Sequence, residues 1–253
     1  MHFAHYPSLE DRVVFITGGG SGIGAAMVAA FARNGSRVAF VDVAVEASQA
    51  LVESLAEARH RPLFIPCDLA DIAALRSAIG RVRAECGPMA VLINNAANDE
   101  RHDVDAVTPE YWDAAMAVNL RHLFFAAQAA RPHMRELGHG AIVNFSSIAW
   151  MHGGRRMVTY ATAKAAIVGL TRSLARELGG DNIRVNAIAP GAVVTERQRR
   201  LWLSEEDIAG FVARQSLNRQ LVADDIARVA LFLAADDSAM IPKQCIIVDA
   251  GLH

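Results

Sequence analysis

The sequence predicts a single doubly wound α/β domain, a parallel sheet of about seven strands with helices on both faces. Three observations predict it. Short β-branched runs alternate with longer stretches of helical periodicity along the whole chain. The strand runs are nearly continuous apolar stretches (VVFI, VAFV, AIVNF), as expected for strands covered on both sides. No linker, repeat or low-complexity segment divides the 253 residues, a length that suits one large domain, 1–253, with an ample core. Strand–helix–strand units with right-handed crossovers then give a doubly wound fold.

The first strand, Val13–Thr17, runs directly into a glycine cluster. A helical pattern near Gly22–Asn34 leads to the second strand, Arg37–Val41, with Asp42 at its end. The helix Glu46–Arg59 precedes the strand Leu63–Pro66, and Asp68 stands just before the helix Ile72–Cys86. Val91–Asn94 is the fourth strand, and Pro109–Leu137 reads as one long helix. Ala141–Phe145 is the fifth strand, with Ser147 at its end. The helix Tyr160–Leu178 returns to Arg184–Ala187, the sixth, which leads to Ala189-Pro190-Gly191. Ala223–Ala234 and Ile246–Val248 are the last helix and strand. One segment breaks the rhythm. From Val194 to about Asn218 the chain is first polar and basic (TERQRR), then carries Leu201, Trp202 and Phe211. Ligands of open α/β sheets bind at the carboxyl ends of strands, so this irregular insertion, about 194–218, is expected to be a substrate lid.

Composition narrows the function classes. A hydrophobic fraction of 53% and a charged fraction of 21% describe a globular chain. The net charge of -2, with both signs interspersed, points away from nucleic acid and anionic membranes, which favour a basic face. Met1 to Glu10 has neither a basic nor an apolar signal region, and stretches such as Ala25–Ala32 are far shorter than the roughly 20 residues of a membrane span. Cys67, Cys86 and Cys245 are widely spaced with no C-x-x-C pair, which suits reduced thiols in a cytoplasm and no metal site.

Between the first strand and its helix lies Thr17-Gly18-Gly19-Gly20-Ser21-Gly22-Ile23-Gly24. Glycines are needed where a backbone turns tightly, approaches a pyrophosphate and packs helix against strand, so a Rossmann-like dinucleotide site is expected here. N–H groups at the helix N-terminus attract phosphate charge. Asp42 can accept hydrogen bonds from the ribose hydroxyls of NAD and would repel a 2'-phosphate. Ser21, and the lack of a basic residue in Val43-Ala44-Val45, favour NAD over NADP. Asp68 can meet adenine or cap the helix that follows.

Tyr160 and Lys164 lie four apart in a helical stretch and so project from one face. A free phenol, with a pKa near ~10, is a poor base at neutral pH. An ammonium one turn away and a positive nicotinamide ring would favour the phenolate and make it a general acid/base. Ser147 can hold the charge that develops on a substrate oxygen. Asn119 can bind a water linking Lys164 to solvent.

With TGGGSGIG, Asp68-Leu69, Asn94-Asn95-Ala96, Asn119, the Ser147/Tyr160/Lys164 set and Pro190-Gly191 followed by Thr195, the chain resembles the short-chain dehydrogenase/reductase family along essentially its whole length. The resemblance implies a catalytic tetrad of Asn119, Ser147, Tyr160 and Lys164. It implies cofactor contacts at Gly18, Ser21, Gly22, Ile23, Gly24, Asp42, Asp68, Leu69, Asn95, Ala96, Tyr160, Lys164, Pro190 and Gly191, with Thr195 and the Val193 backbone on the carboxamide. It also implies a homotetramer or dimer joined through the helices that begin near Pro109 and Tyr160. Ala97 departs from the pattern, where glycine is usual.

The edge of the expected pocket carries Asn98-Asp99-Glu100-Arg101-His102, Trp150, His152, Arg197, Gln198 and Trp202. Such groups suit a neutral ligand with many hydroxyls better than a steroid or an acyl chain. Tyr6-Pro7-Ser8-Leu9, NDERH, Val118-Asn119-Leu120-Arg121-His122, FSSIAW, Arg197-Gln198 and Val248-Asp249-Ala250-Gly251 are similar to the bacterial aldose 1-dehydrogenases. That resemblance implies oxidation of a free sugar at its anomeric carbon by NAD, giving the lactone, with Asn98, Asp99, Ser147, Trp150, His152, Tyr160 and Gln198 toward substrate. His152 comes one residue later than in that branch, Ile241-Pro242-Lys243-Gln244 replaces a Thr-Gly turn, and Met157 and Val158 also border the pocket. Two alternatives stand beside it: an NAD(P)H-dependent reductase of carbonyls or 3-oxoacyl thioesters, and a non-catalytic NAD-binding module.

Overall fold

Seven strands lie in the order β3-β2-β1-β4-β5-β6-β7, every neighbouring pair parallel, in the computed structural model, which describes residues 3–253. They are β1 (Val13–Thr17), β2 (Arg37–Asp42), β3 (Leu63–Pro66), β4 (Met89–Asn94), β5 (Gly140–Phe145), β6 (Ile183–Pro190) and β7 (Cys245–Val248). The helices are α1 (Gly22–Arg33), α2 (Val45–Ser54), α3 (Ile72–Cys86), α4 (Pro109–Met116), α5 (His122–Leu137), α6 (Ala149–His152), α7 (Val158–Leu178), α8 (Glu196–Leu201), α9 (Glu205–Arg214) and α10 (Ala223–Ala234).

Why the strands are apolar throughout is visible in β1. Val14 and Ile16 enter one core with α1 and α10 residues such as Met27, Phe31, Ile226 and Leu231. Val13 and Phe15 enter a second core with α3 and α5 residues such as Leu75, Ile79, Ala126 and Met134. Successive side chains point to opposite faces of a strand, so a sheet packed on both sides needs apolar residues at every position. Burying one such Val, Ile or Phe side chain contributes about 1.5–3 kcal/mol. The chain order reverses between β1 and β4, and the carboxyl ends of these two strands flank the resulting crevice.

Apart from end shifts of one or two residues, as at Met89 and Val158, and the short α6 that was not expected, four elements differ from the sequence expectation. The sixth strand runs on to Pro190 because Ile188 and Pro190 find partners in Ile246 and Val248 of β7. The second helix stops at Ser54, whose hydroxyl donates to the Leu51 carbonyl, a local bond that competes with the helical ladder. The expected single helix Pro109–Leu137 is broken by a π-helical turn, Ala117–Arg121. The Asn119 side chain donates to the Ala115 carbonyl at 3.0 Å, taking the acceptor that the α-helical ladder would use. The segment after Val194 is not irregular. It holds α8, capped by Thr195, and α9, opened by a capping box of Ser204 and Asp207.

Among the described residues no helix is long and apolar enough to cross a membrane, and no group of three or more His, Cys, Asp or Glu is placed to hold a metal ion. Cys67, Cys86 and Cys245 are unpaired, and burial raises all three thiols.

Candidate active site

The glycine loop forms the left wall of the crevice. Gly18 and Gly22 have φ of 66° and 53°, a region that side-chain-bearing residues rarely adopt. A Cβ on Gly18 would stand 2.7 Å from the Ala96 Cα, and one on Gly24 would overlap the Gly18 carbonyl oxygen. The loop is therefore built for close backbone approach. Asn95 staples it to β4: its amide donates to the Thr17 and Gly18 carbonyls at 3.1 and 2.9 Å, and Thr17 Oγ1 accepts the Asn95 and Ala96 N–H groups. Ser21 makes no side-chain cap, so the first-turn N–H groups of α1, at Ile23 and Gly24, are left for an anion.

Asp42 lies beside this loop. Its two carboxylate oxygens accept from Gly20 N at 2.8 Å and Ala44 N at 2.9 Å, which locks it between the loop and α2. Each oxygen keeps a lone pair free for a hydroxyl donor. Asp71, not Asp68, caps α3, accepting from the Ala73 and Ala74 N–H groups. Asp68 is exposed and holds only its own turn through the Ala70 N–H, while Leu69 is buried. On the other side of the crevice, Ile148 donates from its backbone to Pro190 O, Gly191 donates to Val248 O, and Val193 is buried. Thr195 packs on the loop, its Cγ2 placed 3.2 Å from where a Gly22 Cβ would stand. The cradle of close-packed glycines, the uncapped helix and the anchored carboxylate fit a dinucleotide.

The four residues expected to do chemistry gather above the ends of β4 and β5. Lys164 is 2% exposed, donates from Nζ to the Phe145 carbonyl at 2.7 Å, and lies 5.4 Å over the Tyr160 ring. Burial pulls its ammonium down to about 7, with Asp99 acting in the opposite direction. Tyr160 is pushed up to about 12, first by burial and then by the Asp99 carboxylate, while Ser147, Arg101 and Arg197 lower it. The protein's own groups thus hold the phenol in its neutral form, contrary to the lowering that the Tyr160/Lys164 spacing suggests. Ser147 Oγ accepts from Ala149 N, and its neighbour Ser146 donates to the Lys164 carbonyl, which fixes the strand end to α7. Asn119 is buried with its carboxamide engaged on both sides, donating to Ala115 O and accepting from Asn98 N at 2.8 Å.

Three of the residues expected to face substrate come together. Asp99 is 8% exposed, and its carboxylate is bracketed by Arg197 and by Gln198, whose amide donates at 2.6 Å. Arg197 also donates to the Asn98 carboxamide at 2.8 Å. Trp150 points its indole N–H inward to Ser146 Oγ at 3.2 Å. His152 is exposed and stands edge-on to His253, with ring centres 5.0 Å apart, outside the Asp99 group.

Two residues of the site, Arg101 of the expected pocket edge and His122 of the Arg-His pair after Asn119, carried no predicted role. Arg101 contacts Met157 Sδ at 3.1 Å and lies 5.7 Å over the Trp202 ring, and it lowers the Tyr160 phenol. His122 is fully buried near Lys164, with Nε2 3.3 Å from the Ala96 carbonyl, and burial brings it down to about 4. The Arg-His pair after Asn119 marked the position; nothing local signals its depth. A groove of about 490 Å³ at the opposite end of the sheet is lined by His5, Glu10, Asn34 and Arg59, but Glu10 is paired with both His5 and Arg59 there.

A family model described as enoyl-(acyl carrier protein) reductase matches residues 18–253. The chain is 56% identical over 250 residues to a protein of Rhizobium meliloti (strain 1021) named "Probable galactose dehydrogenase GalD", with 98% of each chain covered. It is 47% identical over 251 residues to D-xylose 1-dehydrogenase of Caulobacter vibrioides (strain NA1000 / CB15N), with 99% of each covered. A solved structure of a blue fluorescent protein from a metagenomic library, in complex with NADPH, superimposes with a TM-score of 0.88 at 34% identity, covering 97% of this chain and 99% of that one.

Proposed function

The chain belongs to the short-chain dehydrogenase/reductase family and is an oxidoreductase acting on CH–OH groups; we propose that it passes a hydride from the anomeric carbon of a free aldose to NAD, giving the aldonolactone. The observation that carries this reading is the Asp99 group. A nearly buried carboxylate and a guanidinium stand within electrostatic reach of Tyr160, and two amides are bonded to that pair. Such a wall offers donors and acceptors to a ring of hydroxyls, where an acyl chain would leave them unpaired. The matches to a galactose and a xylose dehydrogenase support the same class.

Bound NAD supplies the hydride acceptor and a positive ring charge. Tyr160, as phenolate, takes the proton from O1, and Ser147 steadies that oxygen by hydrogen bonding. Lys164, held near neutrality by burial, can give and take a proton at ordinary pH. The second lone pair of Asn119 Oδ1 is what a water-linked relay from Lys164 to solvent would use. Asp42 speaks for NAD over NADP, since a 2'-phosphate there would face a carboxylate. The α8–α9 segment, 194–218, acts as lid. Trp112 on α4, Phe124 on α5 and Val158 on α7, 38%, 42% and 46% exposed, support a dimer or tetramer through the helices that begin near Pro109 and Tyr160, and the three unpaired thiols suit a reducing cytoplasm.

A carrier-dependent reductase needs a free basic patch, and here Arg197 is paired with Asp99 and Arg199 with Glu205. The intact proton-handling set speaks against a binding module. The test is absorbance at the NADH band with D-xylose, L-arabinose, D-galactose, D-glucose, L-fucose and L-rhamnose, with NADP in parallel. Turnover of at least one aldose, faster with NAD, is expected. No turnover of any aldose overturns the sugar reading.

A further inference from the structure

We propose that Arg197 is a positioning residue for this reaction: its guanidinium spans Asn98 and Asp99 across the mouth of the cleft, docking the first lid helix and holding the Asp99 carboxylate as a neutralised, oriented acceptor beside Tyr160. The substrate part of this inference rests on the aldose reading; the docking part does not. One terminal nitrogen of Arg197 donates to Asp99 Oδ1 and the other to Asn98 Oδ1 at 2.8 Å, while Gln198, the next residue of α8, donates to Asp99 Oδ2. A planar fork suits two acceptors on consecutive residues, which a lysine cannot match. A carboxylate 8% exposed needs such partners, because a lone charge at that depth is costly.

The pairing also explains why α8 has a fixed seat. A six-residue helix is too short to persist on its own propensity, and these three bonds, with Arg101 stacked over Trp202 at its C-cap, tie it to the loop after β4. The charged groups around the Tyr160 phenol are Asp99 and Arg101 after β4, Arg197 on α8 and Lys164 on its own helix, with the buried His122 facing Lys164 from α5. Without Arg197 the Asp99 charge acts on Tyr160 with one fewer cation opposing it, leaving Arg101 and the Ser147 hydrogen bond on the lowering side. The phenol then gives up its proton at higher pH.

The experiment is the pH dependence of kcat/KM in aldose oxidation for wild type, Arg197→Met, Arg197→Lys and the double variant Asp99→Asn/Arg197→Met. Arg197→Met is expected to move the alkaline rise upward by about half a pH unit or more. Arg197→Lys should keep the rise near its wild-type position, and the double variant should return it, since the unopposed carboxylate is gone. A rate lowered equally at every pH, or a double variant that stays shifted, overturns the proposal. If wild type oxidises no aldose, it is the function reading that fails. Hydrogen exchange of residues 196–201 in Arg197→Met then decides the docking: faster exchange than wild type supports it, and unchanged exchange overturns it.

Discussion

Tyr160 and Lys164 sit in opposite electrostatic circumstances although they share a helix face. Burial raises the phenol to about 12 and lowers the ammonium to about 7. In the protein's own field the base form of Tyr160 is therefore scarce at neutral pH, and positive charge brought by the oxidised nicotinamide is what would shift it toward use. With the phenolate as the proposed base for oxidation, the oxidative rate should rise between about pH 6 and 9, and the reductive rate should not. Tyr160→Phe is expected to lower kcat about 10²–10⁴-fold with dinucleotide binding retained; wild-type turnover in that variant would remove Tyr160 from the chemistry. His122 makes a separate prediction. Its folded-state value, about 4, lies below the ordinary 6.5, so the unfolded chain binds the extra proton first. The associated stability is present above pH 6.5 and is lost as pH falls toward 4, by about 3 kcal/mol. Melting temperature against pH in wild type and His122→Asn checks this, and the variant should show the shallower acid limb. At this scale the Tyr160/Lys164 pair was legible because four residues make one helical turn. The Asp99–Arg197 pair was not, because only tertiary packing brings together two residues so far apart in the chain.

The helical elements show the same division between local and non-local information. Ile72–Cys86 and Ala223–Ala234 follow from periodicity alone, and both have the expected ends. The long stretch from Pro109 did not reveal its π turn, because Asn119 reads locally as an ordinary helix position. Its side chain disturbs the ladder only by bonding both Ala115 and Asn98. The segment 194–218 was recognisable as an insertion after the sixth strand, but its helices were missed. Ser204-Glu205-Glu206-Asp207 is a start signal that would have exposed α9. As α8 carries Arg197, Arg199 and Arg200 and is seated by few contacts, trypsin should cut there before it cuts the helices packed on the sheet. NAD with a sugar substrate should slow that cut. Early cleavage in α5 or α7, or no protection by ligand, would contradict a lid.

For the whole molecule the parallel sheet and its two-sided core were the most legible features, since such a sheet imposes apolar residues at every strand position. Cofactor choice lies at the same scale, as binding acts on the stability of the entire domain. NAD at about 100 times its dissociation constant should add about 2.7 kcal/mol and raise the melting temperature by several degrees. NADP should raise it less because of Asp42. Equal shifts would contradict the NAD assignment, and Gly24→Ala should abolish both, since its Cβ would collide with the Gly18 carbonyl. Sugar identity is less legible, because it depends on the shape left between Asp99, Trp150, Arg197 and Trp202 and not on any single motif. The central claim, that C1 of a free aldose is oxidised, is tested most directly by turning over D-galactose and D-xylose deuterated at C1 and weighing the reduced dinucleotide. One deuterium gained by NADH is the predicted result. Turnover that leaves NADH unlabelled would mean that a different carbon is oxidised.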